Sequence, residues 1–148
     1  MAVTVAAVTI VSQGCSSRTV VSEYQGLPLD GWQQDSVLVW DVDITDSLAV
    51  YDVVLSVRHT VDYPFQNIWL FVENGQTGNT DTLEYYLADQ RGRWLGNGFG
   101  DRKEMPCLVA QGVRFAHPGT YRYAVRQGMR AETLLGVCEV GLIVEKEK

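Results

Sequence analysis

The sequence has little positive charge and no apolar run long enough to cross a membrane. Its 148 residues carry 12 Lys and Arg against 18 Asp and Glu, a net charge of −6. Nucleic-acid binding requires a basic patch, so this balance excludes nucleic acid as the expected partner. The apolar stretch 2–11 has only half of the ~20 residues that a spanning helix needs. With 46% hydrophobic residues, the chain is expected to fold as one globular domain.

Histidine is also scarce, and the two histidines stand in no catalytic motif. His59 ends an apolar strand pattern, and His117 precedes a Pro-Gly turn. Because neither a nucleophile elbow nor another ordered Ser/His/Asp pattern is present, structural roles are the better interpretation. A hydrolase using His59 or His117 is the third-ranked alternative. The sequence predicts no enzyme, no catalytic residue and no cofactor.

One acidic stretch, "DVDITD" from Asp41 to Asp46, resembles the start of a calcium-binding loop. An EF-hand loop has glycine at its sixth position, where this sequence has Asp46, and no helical pattern flanks the stretch. These carboxylates are therefore assigned to strands and turns, and no metal site is predicted.

Three cysteines are present, and the first directly follows the N-terminal apolar stretch. Residues 2–11 match the apolar core of a secretory signal, and Gly14 precedes Cys15. This pattern predicts a signal peptide over 1–14, lipidation of Cys15 and a lipid-anchored tether over 15–22. No Lys or Arg precedes the stretch, and Ser12 replaces the usual aliphatic residue, so the signal is atypical or incomplete. The alternative is an edge strand that carries a buried thiol.

The other two cysteines, Cys107 and Cys138, would then lie in an envelope compartment that permits disulfides. Two cysteines without coordinates define no geometry. A disulfide and two free thiols both remain open at this stage.

From residue 37 to residue 144, the sequence has the pattern of short strands separated by turns. Leu38, Trp40, Val42 and Ile44 alternate with polar or exposed positions, which is typical of a half-buried strand. No stretch sustains a helical period. Seven strands with frequent turn signals predict an all-β fold, a single antiparallel β-sandwich of jelly-roll or Ig-like type over 23–148. The predicted strands are 37–44, 52–59, 66–73, 82–88, 108–115, 120–127 and 134–144.

A glycine-rich stretch, "RGRWLGNGFGDRKE" from Arg91 to Glu104, lies between two predicted strands. A phosphate-binding loop would be followed by a helix, and none is predicted here. Among the tryptophans, Trp40 and Trp69 lie in apolar strands and should be buried, whereas Trp94 should be nearest to solvent. The stretch is therefore the candidate partner-binding surface, with Trp94 packing inward as a core cap the alternative. The candidate residues are Arg91, Arg93, Trp94, Asn97, Phe99 and Asp101.

The Tyr63-Pro64 bond joins two predicted strands, from Asp52 to His59 and from Gln66 to Glu73. An aromatic residue before proline raises the frequency of the cis peptide. We therefore expect a cis bond at this position.

Four segments in order resemble the GldH gliding-motility lipoproteins of Bacteroidetes. The resemblance covers roughly residues 24–145, and the succession of "GRWLG", "GTY" and "MR" within these segments is specific. The segments are "VRHTVDYPFQNIWLFV" (57–72), "DTLEYYLADQRGRWLGNGFGDRKE" (81–104), "VRFAHPGTYRYAVRQGMR" (113–130) and "LLGVCEVGLIVEK" (134–146).

The resemblance implies a lipid-anchored, non-enzymatic accessory component of a gliding-motility or type IX secretion-associated assembly. Its implied partners are other envelope motility or secretion lipoproteins and membrane proteins. It implies a cell-envelope location, and "SSR" after Cys15 lacks an acidic surface-export tag, which favours the periplasmic side. The alternative is a carbohydrate-binding surface lipoprotein that uses an exposed aromatic residue such as Trp94.

Overall fold

The computed structural model describes residues 18–98 and 100–147, and this part of the chain contains ten strands and no helix. It accordingly holds no helix long and apolar enough to span a membrane. The predicted signal peptide, Cys15 and Phe99 lie outside these ranges. The strands are β1 (Thr19–Gly26), β2 (Trp32–Gln33), β3 (Leu38–Ile44), β4 (Tyr51–Thr60), β5 (Asn67–Glu73), β6 (Thr80–Tyr86), β7 (Arg102–Val113), β8 (Gly119–Gln127), β9 (Thr133–Leu134) and β10 (Val137–Lys146).

Alternating side chains form these strands, as the sequence predicts. In β3 the residues Leu38, Trp40, Val42 and Ile44 are buried, while Asp41 and its odd-numbered neighbours point outward. Successive side chains of a strand face opposite sides of the sheet, so one apolar set is enough to cover a core. The predicted all-β fold is confirmed.

All ladders are antiparallel, and the eight long strands form two sheets. One sheet has the order β1-β10-β4-β7 and the other β3-β8-β5-β6, while β2 and β9 form a separate two-stranded ladder. Counted over the long strands alone, the orders are 1-8-3-6 and 2-7-4-5. This is the jelly-roll arrangement of two interlocked Greek keys, so the jelly-roll alternative is correct and the Ig-like one is not.

The core lies between the inner faces of the two sheets. Its largest fully buried side chains are aromatic and sit on both sheets and their connections, which ties the layers together. Tyr51 and Phe115 make an edge-to-face contact with ring centroids 5.4 Å apart. The principal members are Trp32, Trp40, Tyr51, Phe115, Tyr123, Leu55, Ile68, Leu70, Leu134 and Leu142.

Several strand boundaries and one peptide bond differ from expectation, and the predicted strand 134–144 is divided between β9 and β10. Strand β1 includes residues 19–22, which the sequence analysis placed in the tether, because they pair with the end of β10. Strand β7 begins at Arg102 rather than Leu108, because its first residues pair with the end of β4. In this pairing Arg102 lies opposite Thr60. The Tyr63-Pro64 bond is trans, since the described residues contain no cis peptide; the cis prediction is wrong.

The connections of the sandwich divide between its two ends. The first and last described residues, Arg18 and Glu147, share one end with the connections 45–50, 74–79 and 114–118, and the backbone N–H of Lys146 donates to the carbonyl of Arg18 at 2.6 Å. The opposite end, called here the distal end, carries the connections 27–37, 61–66, 87–101 and 128–136. The distal connections contain more than twice as many residues as those beside the termini.

Candidate functional site

The segment 87–101, the longest distal connection, is organised by one aspartate. The Asp89 Oδ1 atom accepts the backbone N–H groups of Arg91 and Arg93, each at 2.9 Å. Its Oδ2 atom accepts the Arg93 Nε–H at 3.0 Å. These bonds to the charged form lower the pKa of the Asp89 carboxyl, the backbone N–H of Arg93 contributing most. The turn is therefore fixed by an ionised aspartate of the kind that commonly closes tight turns.

Two glycines let this segment lie against the start of β7. A Cβ atom on Gly96 would stand 2.5 Å from the Glu104 carbonyl oxygen, and one on Gly98 would collide with the Arg102 carbonyl oxygen. Between them, the backbone of Asn97 exchanges hydrogen bonds of 3.0 and 2.7 Å with Glu104. The glycines therefore serve close backbone approach rather than mobility.

Trp94 is half-buried and closes the core beneath the segment. Its ring centroid lies 4.7 Å from that of His59 and 6.4 Å from that of Tyr63. Trp94 also packs on the buried core, and its backbone forms a bridge with Ala88. The prediction that Trp94 is the tryptophan nearest to solvent is wrong, because the aromatic pair below it offers an apolar surface to cover.

His59, under Trp94, is fully buried. Its Nδ1 atom lies 2.9 Å from the Thr60 carbonyl oxygen, which can only accept, so Nδ1 carries the proton in the neutral ring. Within the described residues the Nε2 atom has no hydrogen-bond partner. Burial lowers the pKa of His59, and nearby Lys103 acts in the same direction, although the Thr60 bond opposes them. His59 is therefore a neutral core residue.

The remaining candidate residues lie together on the solvent side of the segment. Arg91, Arg93, Asn97 and Asp101 are exposed, and the Asp101 carbonyl accepts the backbone N–H of Val61 at 2.8 Å. Four of the six candidates are thus exposed on the segment 87–101, Trp94 turns inward, and Phe99 lies outside the described residues.

Sequence reasoning missed the exposure of Trp69. This side chain is 38% exposed, because Ile68, Leu70 and Val72 of β5 face the core and Trp69 takes the outer face with Phe71. The prediction that Trp69 is buried is wrong, whereas Trp40 is buried as predicted. The sequence "NIWLFV" already indicated this exposure, because its aliphatic residues occupy the even-numbered positions of the strand and its aromatic residues the odd-numbered ones.

Among the described residues, neither histidine makes a hydrogen bond with a Ser, Thr or Cys side chain. His117 Nδ1 lies 3.3 Å from the Pro118 carbonyl and 3.5 Å from the Tyr121 hydroxyl, and the hydrogen bond of His59 goes to backbone. Within the described ranges, no group of three or more His, Cys, Asp or Glu side chains could hold a metal ion. In the former calcium candidate, Asp43 accepts the Thr120 hydroxyl and Asp46 pairs with Lys146.

Cys107 and Cys138 are free thiols on opposite sides of β4. Cys107 stands opposite Leu55, whereas Cys138 lies beside Arg58 and His59. They are separated by two strand spacings of about 4.8 Å and by at least ~10 Å along the strands. A disulfide needs Cα atoms within roughly 7 Å, so this fold excludes a bond between them.

A polar network on the outer face of the β1-β10-β4-β7 sheet is structural. Glu104 Oε1 accepts the hydroxyls of Tyr24 and Ser56 at 2.6 and 2.5 Å, and its Oε2 accepts the Arg58 Nε–H at 3.3 Å. Arg58 also pairs with Glu139 at 2.9 Å and stacks 3.8 Å over the Tyr24 ring. Since both oxygens of Glu104 are engaged, the network ties the four strands β1, β4, β7 and β10 and leaves little for a substrate.

Comparison with known proteins confirms the resemblance found in the sequence. The profile of the family described as GldH lipoprotein matches residues 19–144. A Christiangramia forsetii protein named "Gliding motility lipoprotein GldH homolog" is 33% identical over 93% of this chain and 90% of its own. The Flavobacterium johnsoniae "Gliding motility lipoprotein GldH" is 33% identical over 90% of this chain and 88% of its own. The chain therefore belongs to the GldH lipoprotein family.

Proposed function

We propose that this protein is a lipid-anchored, non-enzymatic accessory component of a gliding-motility or type IX secretion-associated assembly. Its family consists of lipoproteins, which are membrane-anchored proteins of the cell envelope, and two relatives are named for gliding motility. The observation that carries the proposal is the separation of the termini from the four distal connections. Such a domain holds its anchor at one end and presents a binding surface at the other.

The anchor is Cys15, three residues before Arg18. Three residues span at most ~11 Å, so the end of the sandwich that carries the termini lies close to the membrane. Arg18 pairs with the backbone of Lys146, next to the connections 45–50 and 114–118. The distal end then points away from the bilayer by the length of the strands, about 25–30 Å for strands of eight or nine residues. The anchored protein faces the periplasm.

The partner is another envelope lipoprotein or membrane protein, bound at the distal end. Exposed apolar side chains concentrate there, and Leu29, Leu95 and Leu135 lie in three of its connections. Interfaces combine such apolar side chains with arginine anchors, a role open to Arg91. Trp94 supports this surface from below by holding the segment 87–101 against His59.

Membrane fractionation and colony spreading test the proposal in the organism that carries the gene. In a deletion strain, the wild-type gene restores spreading or secretion, and its product stays with membranes after a salt wash. Cys15→Ala should release the protein and lose the phenotype, while Cys138→Ala, the control, retains both. Membrane retention of Cys15→Ala, or an unaltered phenotype in the deletion strain, contradicts the proposal. Protease added to intact cells should leave the protein whole if it faces the periplasm.

A further inference from the structure

A shallow groove lies on the outer face of the β3-β8-β5-β6 sheet, near the distal end, and is lined partly by the connections 61–66 and 128–136. Its volume is about 350 Å³, which is within the range of small-ligand sites. Eight residues line it, whereas a standard protein interface engages about 20–30 residues a side. The lining includes Phe65, Asn67, Trp69, Thr82, Met129 and Arg130. The groove is therefore of a size for a small ligand rather than a folded partner.

The floor of the groove is aromatic, and hydrogen bonds fix its backbone in place. The Trp69 carbonyl accepts the backbone N–H of Gly128 at 2.7 Å, and the Trp69 N–H approaches the Met129 sulfur at 3.2 Å. These contacts hold Trp69 between β6 and the segment that follows β8, with its indole partly open to solvent.

The rim of the groove is polar and carries both signs of charge. Asn67 donates its side-chain N–H to Glu84 Oε2 at 2.6 Å, and the exposed Arg130 also lines the groove. Carboxylate and amide oxygens accept hydrogen bonds, whereas the guanidinium and amide N–H groups donate them. One carboxylate and one guanidinium leave the rim without net charge, so it favours a neutral ligand rich in hydroxyl groups. A purely apolar ligand would leave these groups unpaired, at a cost in free energy.

We infer that this groove binds a neutral pyranose oligosaccharide. A pyranose ring has a C–H face that packs on an exposed aromatic ring, and its edge carries hydroxyls that both donate and accept. The rings of Trp69 and Phe65 would pack on the C–H face of the sugar. Asn67, Glu84 and Arg130 would form hydrogen bonds with its hydroxyl groups. No residue of the segment 87–101 lines this groove, although the distal connections 61–66 and 128–136 contribute to it.

Calorimetric titration of the purified full chain in detergent tests the inference. The probes are N,N′,N″-triacetylchitotriose, which stands for the acetylated glycan of a cell wall, and cellotriose and mannotriose, which stand for neutral envelope polysaccharides. We expect saturable binding of at least one probe with a Kd below about 1 mM. Binding of the acetylated probe alone assigns the glycan to the cell wall, and binding of the others assigns it to polysaccharide.

Variants then place the ligand on the groove. Trp69→Ala should weaken binding roughly tenfold or more, and Glu84→Gln should weaken it several-fold, because a charge-assisted hydrogen bond is lost. Thr82→Arg should block the groove without removing an aromatic residue. Leu95→Ala, an exposed apolar side chain outside the groove, should bind as wild type.

No saturable heat with any probe at about 10 mM overturns the inference. Equal binding by a folded Trp69→Ala variant, or by Thr82→Arg, overturns it as well. Thermal melting of each variant identifies any that fails to fold. Because the titration uses purified protein, its outcome is independent of membrane retention and colony spreading, which test the proposed function.

Discussion

Replacing Trp94 with alanine should destabilise the protein because the side chain covers a buried histidine. A fully buried Trp→Ala change costs about 3–5 kcal/mol. Trp94 is half-buried and rests on His59 and Tyr63, so we expect a loss of about 2–3 kcal/mol in the free energy of unfolding. For a domain of this size, that corresponds to a melting temperature lower by roughly 10 °C.

The same substitution should change how stability depends on pH. Burial lowers the pKa of His59 in the folded state, so the unfolded chain binds its proton first as the pH falls. The contribution of His59 to stability is therefore complete above the unfolded pKa of about 6.5. Below it, stability declines by at most ~1.4 kcal/mol per pH unit until the folded pKa is reached. Removing Trp94 admits water, raises the folded pKa of His59 and flattens this dependence.

Chemical denaturation at several pH values between about 5 and 8 measures both effects. The loss caused by Trp94→Ala should be largest at the upper end of this range and shrink as the pH falls. Trp69→Ala, which removes an exposed tryptophan from the outer face, is the matched control and should alter neither quantity by more than ~1 kcal/mol. A Trp94→Ala variant as stable as the control, with an unchanged pH dependence, would refute a covering role for Trp94.

Three further outcomes follow from the packing and the register. Gly141→Ala should lower the free energy of unfolding by about 1–3 kcal/mol, because a Cβ atom there would stand 2.5 Å from the Tyr24 ring. Gly26→Ala, whose Cβ atom would meet nothing within 4 Å, is the control, and thermal melts compare the two variants. Burial raises the pKa of the Cys107 thiol to about 12, so iodoacetamide should modify this residue only after unfolding. Intact-mass analysis without reductant should show no disulfide between Cys107 and Cys138; a mass lower by the two lost hydrogens would contradict the strand register.

The strands that cover the core could be predicted from the sequence, but the edge strand β1 could not. Residues such as Leu70 and Val72 alternate with more polar or aromatic neighbours, so their strand follows from local pattern alone. Strand β1 is largely exposed and shows no such alternation, and its pairing with β10 joins segments more than a hundred residues apart. Local periodicity carries no information about partners at that separation, and the jelly-roll order depends on this pairing.

The sequence places a loop between two predicted strands at Arg91 to Glu104, but it leaves the orientation of Trp94 open. Charged and glycine neighbours suggested that Trp94 faces solvent, yet its partner is His59, 35 residues earlier in the chain. The close approach of Gly98 to Arg102 likewise depends on how the segment folds back on β7. The exposure of Trp69 could have been predicted from the alternation of side chains along β5, because the aliphatic residues identify the face that points to the core.

Quantitative co-purification from native membranes tests most directly whether the distal end is the partner-binding surface. Arg91→Glu reverses an exposed charge in the distal segment 87–101, and Arg114→Glu makes the same change in the connection 114–118 beside the termini. Tagged full-length variants of equal abundance and thermal stability are solubilised gently, and their associated envelope proteins are measured by mass spectrometry. We predict that the amount of one co-purified partner falls at least about tenfold with Arg91→Glu and is unchanged with Arg114→Glu. This is the loss expected for an arginine anchor in an interface. Loss with Arg114→Glu and retention with Arg91→Glu would contradict the account.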